Sequence, residues 1–248
     1  MMRVVTLITF CVAVTVSNAA DNEEVPGSYI LTNTVRDVTN WAGANVTIPD
    51  INFTICFWAK IDSWYETRRS TILSMAASAK DNWLIFELEK SHMVFVIKSK
   101  YSSVSLFETE LNKWYFYCFS AEETLTHYQY TLNVGENTCN LVWVQKFSKN
   151  IQKQPKSKRD YAVGLVLFSD QDELFGGFDP EQVAVASISC LNIWSSVYQE
   201  DQLVDFAECK QEGDVFTMKP GALAIHGTIT SEMKPVADEP KSPGKLWK

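Results

Sequence analysis

Asn52-Phe53-Thr54-Ile55-Cys56-Phe57-Trp58-Ala59-Lys60-Ile61 alternates along its length and is rich in aromatic and β-branched residues. That is the pattern of a strand packed on a pleated surface. Working outward, residues 83–88, 93–97, 114–120, 128–134, 163–168 and 183–194 repeat it, separated by polar or glycine-containing turns. Such spacing predicts an all-β fold, a two-sheet antiparallel sandwich. One stretch departs. From Gln199 to Cys209 an acidic start is followed by Leu203, Val204, Phe206 and Ala207, which suits a short amphipathic helix.

Length and composition agree with one large domain. The chain has 248 residues, 46% of them apolar, enough to fill a core without relying on disulfides. Met1-Met2-Arg3, the apolar run 4–16 and the small residues Ser17-Asn18-Ala19 form a signal-peptide pattern, so residues 1–19 are expected to be removed. Residues 20–27 read as a short N-terminal segment and 28–248 as the single domain. The expected location is secreted and extracellular, with no membrane span and no lipid-linked anchor.

The formal charge is 22 − 30 = −8, and it becomes about −9 without Arg3. That balance argues against nucleic acid as the main partner. Cys11 falls in the signal segment, leaving Cys56, Cys118, Cys139, Cys190 and Cys209. In an oxidising compartment two pairs and one leftover are expected, and spacing does not assign them. No CxxC occurs and the histidines are scattered, so zinc has little support. Asn45-Val46-Thr47 and Asn52-Phe53-Thr54 fit the N-glycosylation pattern. Asn45 is preferred, because Asn52 opens an expected strand. Residues 146–159 form a basic, proline-containing connector, and the tail 234–248 is proline-rich.

The stretch 169–182, SDQDELFGGFDPEQ, holds five carboxylates and two side-chain amides in one glycine-containing loop. Clustered carboxylates repel one another unless a cation sits among them. A hard cation such as calcium takes six to eight oxygens from carboxylates, carbonyls and amides. The loop therefore points to Ca2+ and to binding. It is no EF-hand, since its glycines come too late after Asp170. Alternating acids, Glu87 with Glu89 and Glu108 with Glu110, read as the wet faces of strands. They leave a glycoside hydrolase as a poor alternative, and no enzyme is expected.

In order and spacing these pieces resemble the pentraxin family. The resemblance rests on Phe53-Thr54-Ile55-Cys56, Trp114 to Ser120, Asp81-Asn82 before an apolar strand, Asp170-Gln171-Asp172 with Phe175-Gly176-Gly177 and Gln182, Ile188 to Trp194, Gly213-Asp214-Val215, and Lys245-Leu246-Trp247. It covers residues 28–248 and marks a divergent member. Phe116 stands where histidine is usual, and Ala121 where tryptophan is usual. The resemblance implies a jelly-roll sandwich of the concanavalin and laminin-G kind, with one helix on one face and calcium on the other.

It also implies a Cys56–Cys118 disulfide, whose loop of roughly sixty residues contributes on the order of 4 kcal/mol. Cys190–Cys209 is the expected second bond, leaving Cys139 unpaired or bonded to another chain. A first ion would take Asp81, Asn82, Asp170, the backbone carbonyl of Gln171, and Asp172. A second would share Asp170 and Asp172 and add Asp179 and Gln182. Asp170 and Asp179 are shorter than the family's usual glutamates, so the first site keeps more of its set. Phe86 is the candidate apolar wall of a ligand pocket. The expected role is calcium-dependent recognition of phosphate-bearing or carbohydrate ligands on surfaces, of an innate-immunity kind. The expected assembly is a cyclic homo-oligomer, with a pentamer the common form. A laminin-G-like adhesion module is the alternative.

Overall fold

The computed structural model describes residues 29–234, except 50, 65–68, 79, 91, 98–99, 106–108, 124–127, 135–136, 142–159 and 199–201. The expected signal segment, the N-terminal stretch, the basic connector and nearly all of the tail lie outside the described residues.

The strands in chain order are β1 (Tyr29–Asn33), β2 (Trp41–Pro49), β3 (Phe53–Ser63), β4 (Ser70–Ala77), β5 (Lys80–Leu88), β6 (His92–Ile97), β7 (Lys100–Ser105), β8 (Trp114–Glu123), β9 (Tyr128–Val134) and β10 (Asn137–Leu141). After the connector come β11 (Asp160–Leu167), β12 (Val185–Trp194), helix α1 (Leu203–Ala207), β13 (Phe216–Thr217), β14 (Ala224–His226) and β15 (Thr230–Met233). One sheet runs β10-β9-β8-β3-β12-β1-β15, with β13 beside β12. The other runs β14-β2-β11-β4-β5-β6-β7. Every pairing of named strands is antiparallel, so the expected two-sheet jelly-roll sandwich is what the chain forms.

The quoted strand explains the layering. On β3, Phe53, Ile55, Phe57, Ala59 and Ile61 enter the core between the sheets. The alternate residues face outward, and here the outer face is also covered. Cys56 joins Phe116, Cys118, Trp194, Leu203, Phe206 and Ala207 in a second apolar cluster beneath α1. Trp194 and Phe206 stack with ring centroids 4.1 Å apart, and the Trp58 Nε1–H donates to the Ala207 carbonyl at 2.8 Å. Cys56 and Cys118 are opposite one another across β3 and β8 and are bonded. Cys190 bonds Cys209 just past the helix. Cys139 lies on β10, and its side chain is outside the described ones.

Three local expectations are corrected. The helix spans five residues, not the whole acidic stretch. Asn52 precedes the strand and adopts φ 64°, a left-handed conformation that asparagine tolerates at a turn. Phe86 is fully buried in the inter-sheet core, packed on Phe57 and Phe119 with ring centroids 5.8 and 5.3 Å apart. The pleat turns its ring inward, so it lines no surface pocket.

Candidate metal centre

On β11, Val163, Leu165 and Leu167 enter the core, so Gly164 and Val166 face outward. On β4, Leu73 and Met75 point inward and Ser74 outward. The chain leaves the sheet after β11 and folds back over this outer face. Phe168 takes φ 72°, and its N–H still bonds the Ile72 carbonyl at 3.1 Å. The return limb is held by Ala184 N–H to the Phe168 carbonyl at 2.8 Å and Thr71 N–H to the Gln182 carbonyl at 2.9 Å. The acidic loop therefore lies on the face opposite α1.

Gln171 fastens the loop. Fully buried, its Nε2 donates to the carbonyls of Gly164 (2.7 Å) and Ser74 (3.2 Å), and its Oε1 accepts the Phe175 N–H at 3.0 Å. The Ser74 hydroxyl donates to the Ser169 carbonyl at 2.8 Å. Backbone bonds between Glu173 and Gly176 close the tip. Gly177 adopts φ 66°, where a side chain would be strained.

Within this frame Asp170 is 7% exposed, and its Oδ1 has no hydrogen-bond partner. Burial pushes its carboxyl up to about 7, helped by the charges of Glu87, Asp172 and Asp179 and opposed by the Gln171 backbone N–H. The Gln182 Oε1 is likewise buried without a partner. An orphaned buried oxygen costs free energy unless water or an ion completes it. Both orphans belong to the expected ligand set, so the donors fit a calcium ion. Asp172 is exposed, and Asp179 is half-buried with its Oδ1 accepting the Glu181 N–H at 2.9 Å.

Asp81 and Asn82 lie near the start of β5, and their side chains are outside the described ones. The register places this end of β5 beside the end of β4, through Ala77↔Lys80 and Met75↔Leu84. Ala76 on β4 pairs Gly164, the anchor of Gln171. That register sets the start of β5 beside the part of β4 that pairs with the strand anchoring Gln171. Among the described residues, no three His, Cys, Asp or Glu side chains converge enough to hold an ion by themselves.

Sequence reasoning misread a further residue here. Glu87 is not on a wet face, being 3% exposed. Its Oε2 accepts from Arg69 Nη1 at 3.2 Å and its Oε1 from the Thr71 hydroxyl at 3.3 Å, while Arg69 Nε also reaches Glu89 at 2.9 Å. Burial raises the Glu87 pKa, opposed by Arg69. Glu87 is also the charged neighbour that most raises Asp170. Its only sequence signal was the alternation that also describes a solvated face.

Comparison with known proteins settles the family. The sequence pattern of the Pentaxin family matches residues 38–229. The chain belongs to the pentraxin family. It is 26% identical over 195 residues to C-reactive protein 1.4 of Limulus polyphemus, covering 74% of this chain and 69% of that one. Its fold is similar to the native heptameric SAP-like pentraxin from Limulus polyphemus, with a TM-score of 0.65 at 16% identity over 85% of this chain and 96% of that one. Part of the extracellular region of zebrafish Gpr126/Adgrg6 also resembles it, with a TM-score of 0.62 at 14% identity over 86% of this chain and 27% of that one. At such identities the two structures bear on fold alone. Pentraxins are recognition proteins, not enzymes, and calcium-dependent ligand recognition in innate immunity is the family's trait. Membership also decides between a pentraxin and a laminin-G-like module in favour of the first. Among the described residues, no helix is long and apolar enough to cross a membrane.

Proposed function

We propose that this pentraxin is a secreted, calcium-dependent recognition protein. Its ligands are phosphate-bearing or carbohydrate groups on surfaces. One ion is held by Asp81, Asn82, Asp170, the Gln171 carbonyl and Asp172. A second shares Asp170 and Asp172 and adds Asp179 and Gln182. The observation that carries the reading is the pair of buried oxygens, Asp170 Oδ1 and Gln182 Oε1, left without partners within one acidic loop.

When bound, calcium supplies a hard, exposed positive centre for an anionic oxygen of the ligand. The chain's own residues preset its seat. Gln171 ties the loop to Gly164 and Ser74, and the return limb is stitched to β4. Arg69 neutralises Glu87 beneath the loop, which keeps a further buried carboxylate compatible with folding. Secretion fits the two disulfides and the pentraxin relatives. A cyclic homo-oligomer fits the similarity to a heptameric pentraxin. Asn45 is exposed on β2, the more accessible of the two N-glycosylation candidates beside Asn52.

The test is a melt of the mature protein in millimolar calcium and in chelator, with binding to phosphocholine, phosphoethanolamine and glycan resins under both conditions. Calcium at a hundred times its dissociation constant adds about 2.7 kcal/mol, a rise of several degrees for a chain of this size. Equal melts for wild type in both buffers would refute calcium binding. Calcium-dependent melting without retention on any resin would refute the ligand class alone.

A further inference from the structure

Trp41 opens β2 on the outer face, two strands from β4, and none of the calcium donors is adjacent to it in sequence. Its indole nevertheless meets the acidic loop on both sides of the Gly176-Gly177 pair. Phe175 stacks on it with ring centroids 5.9 Å apart and planes inclined by 22°. Phe178 tilts against it at 5.4 Å. On the other side His226, its partner on the edge strand β14, stacks at 3.8 Å.

Two glycines make the seat flat. A Cβ at Gly43 would come within 2.9 Å of the Trp41 ring. A Cβ at Gly164 would come within 2.7 Å of Leu174 and 3.0 Å of Phe175. The sheet is therefore bare where the aromatic residues lie. The same Phe175 gives its backbone N–H to Gln171, the neighbour of both Asp170 and Asp172. A contact at the loop tip is thereby connected to the segment that carries the donors.

We propose that Trp41 is a positioning residue for calcium: it latches Phe175 and Phe178 to the sheet and presets the donor loop before the ion arrives. The inference rests on the calcium reading above. A loop that must be ordered on binding loses affinity in proportion to the fraction of molecules in which it is already in place. Aromatic contacts of this kind, two of them released together, shift such a population by about tenfold.

The experiment uses the full mature chain as Trp41→Ala and Trp41→Phe, with calcium titrated calorimetrically and amide hydrogen exchange followed in chelator. The expected result for Trp41→Ala is a calcium dissociation constant raised about tenfold. The Glu173 and Gly176 amides should also exchange about tenfold faster without calcium, while those of β11 do not change. Trp41→Phe, which keeps a ring, should stay within about threefold of wild type in both measurements. An affinity loss under about threefold for Trp41→Ala would overturn the proposal. So would unchanged loop exchange, or a rise shared equally by β11, which would mark a merely structural role. If Trp41→Ala does not fold, Phe178→Ala removes one contact from the loop side and is judged by the same criteria. If wild type takes up no calcium, the calcium reading fails, while faster loop exchange in Trp41→Ala would still support the latch.

Discussion

Asp170→Asn should stabilise the calcium-free protein and abolish its response to calcium. In the folded chain the Asp170 carboxyl is raised from 3.8 to about 7, mainly by burial, and one of its oxygens is unpartnered. Each tenfold change in proton affinity is worth about 1.4 kcal/mol. Holding the group ionised at pH 8 in the absence of calcium therefore costs the fold on the order of 4 kcal/mol. The sign follows from proton counting. Between about pH 4 and pH 7 the folded state binds this proton and the unfolded state does not, so stability falls as pH rises through that window. Glu87, also raised, adds to the fall in the same direction. Asparagine keeps the shape and removes the charge.

The assay is thermal unfolding of wild type and Asp170→Asn at pH 5 and pH 8, in chelator and in millimolar calcium. At pH 8 in chelator the variant should melt higher by about 5 °C or more. At pH 5 the gap should shrink to less than half its pH 8 size, and the two should coincide only below the unfolded value of 3.8. In calcium the gap should narrow by about 2.7 kcal/mol at a hundred times the dissociation constant, because wild type gains the ion's binding energy and the variant does not. A variant that melts lower than wild type in chelator at pH 8 would refute the reasoning. So would a calcium-free wild type equally stable at both pH values.

Arg69→Ala strips Glu87 of its cation and should cost roughly 1–3 kcal/mol, with a larger loss of melting temperature at pH 8 than at pH 5, where protonation relieves the unpaired charge. Phe86→Ala opens a cavity between the sheets and should cost about 3–5 kcal/mol by chemical denaturation; at temperatures where it stays folded, its calcium-dependent resin binding should match wild type. Replacing Cys56 and Cys118 together by alanine should cost on the order of 4 kcal/mol by chemical denaturation, and the remaining difference between oxidised and reduced variant should be only what Cys190–Cys209 supplies. Asn45→Gln should remove a glycan-sized mass increment from protein secreted by eukaryotic cells.

Strand alternation was legible because period two needs only the chain. It located β3, β5, β6, β8, β9, β11 and β12. It missed β1, β2, β4, β7, β10 and the short β13, β14 and β15; in β2, β4 and β7 the Ser, Ala, Gly, Asn and Lys residues carry little β signal and join the sheet through their neighbours. The acidic loop was legible for a similar reason: crowded carboxylates imply a cation wherever the chain goes. The partners of the half-cystines were another matter. Spacing left them open; resemblance suggested Cys56–Cys118, the nearness of a strand to the helix after it suggested Cys190–Cys209, and the register of β3 on β8 brings Cys56 opposite Cys118.

What the sequence determined by itself is the class of fold, the family and the loop that carries the oxygens, since each depends on residue type and local order. What only the tertiary structure decided is the direction in which neighbouring side chains face and what covers them. Phe86 and Glu87 are adjacent, and a pleat sends one into the core and the other under the loop. Alternation foretells that they part, but not which face receives a cover. Trp41 gave no sign of its relation to the loop, because Phe175 reaches it only after the chain has crossed the sheet and turned back. Burial, and with it the raised carboxyl of Asp170, is a property of how the layers close over one another.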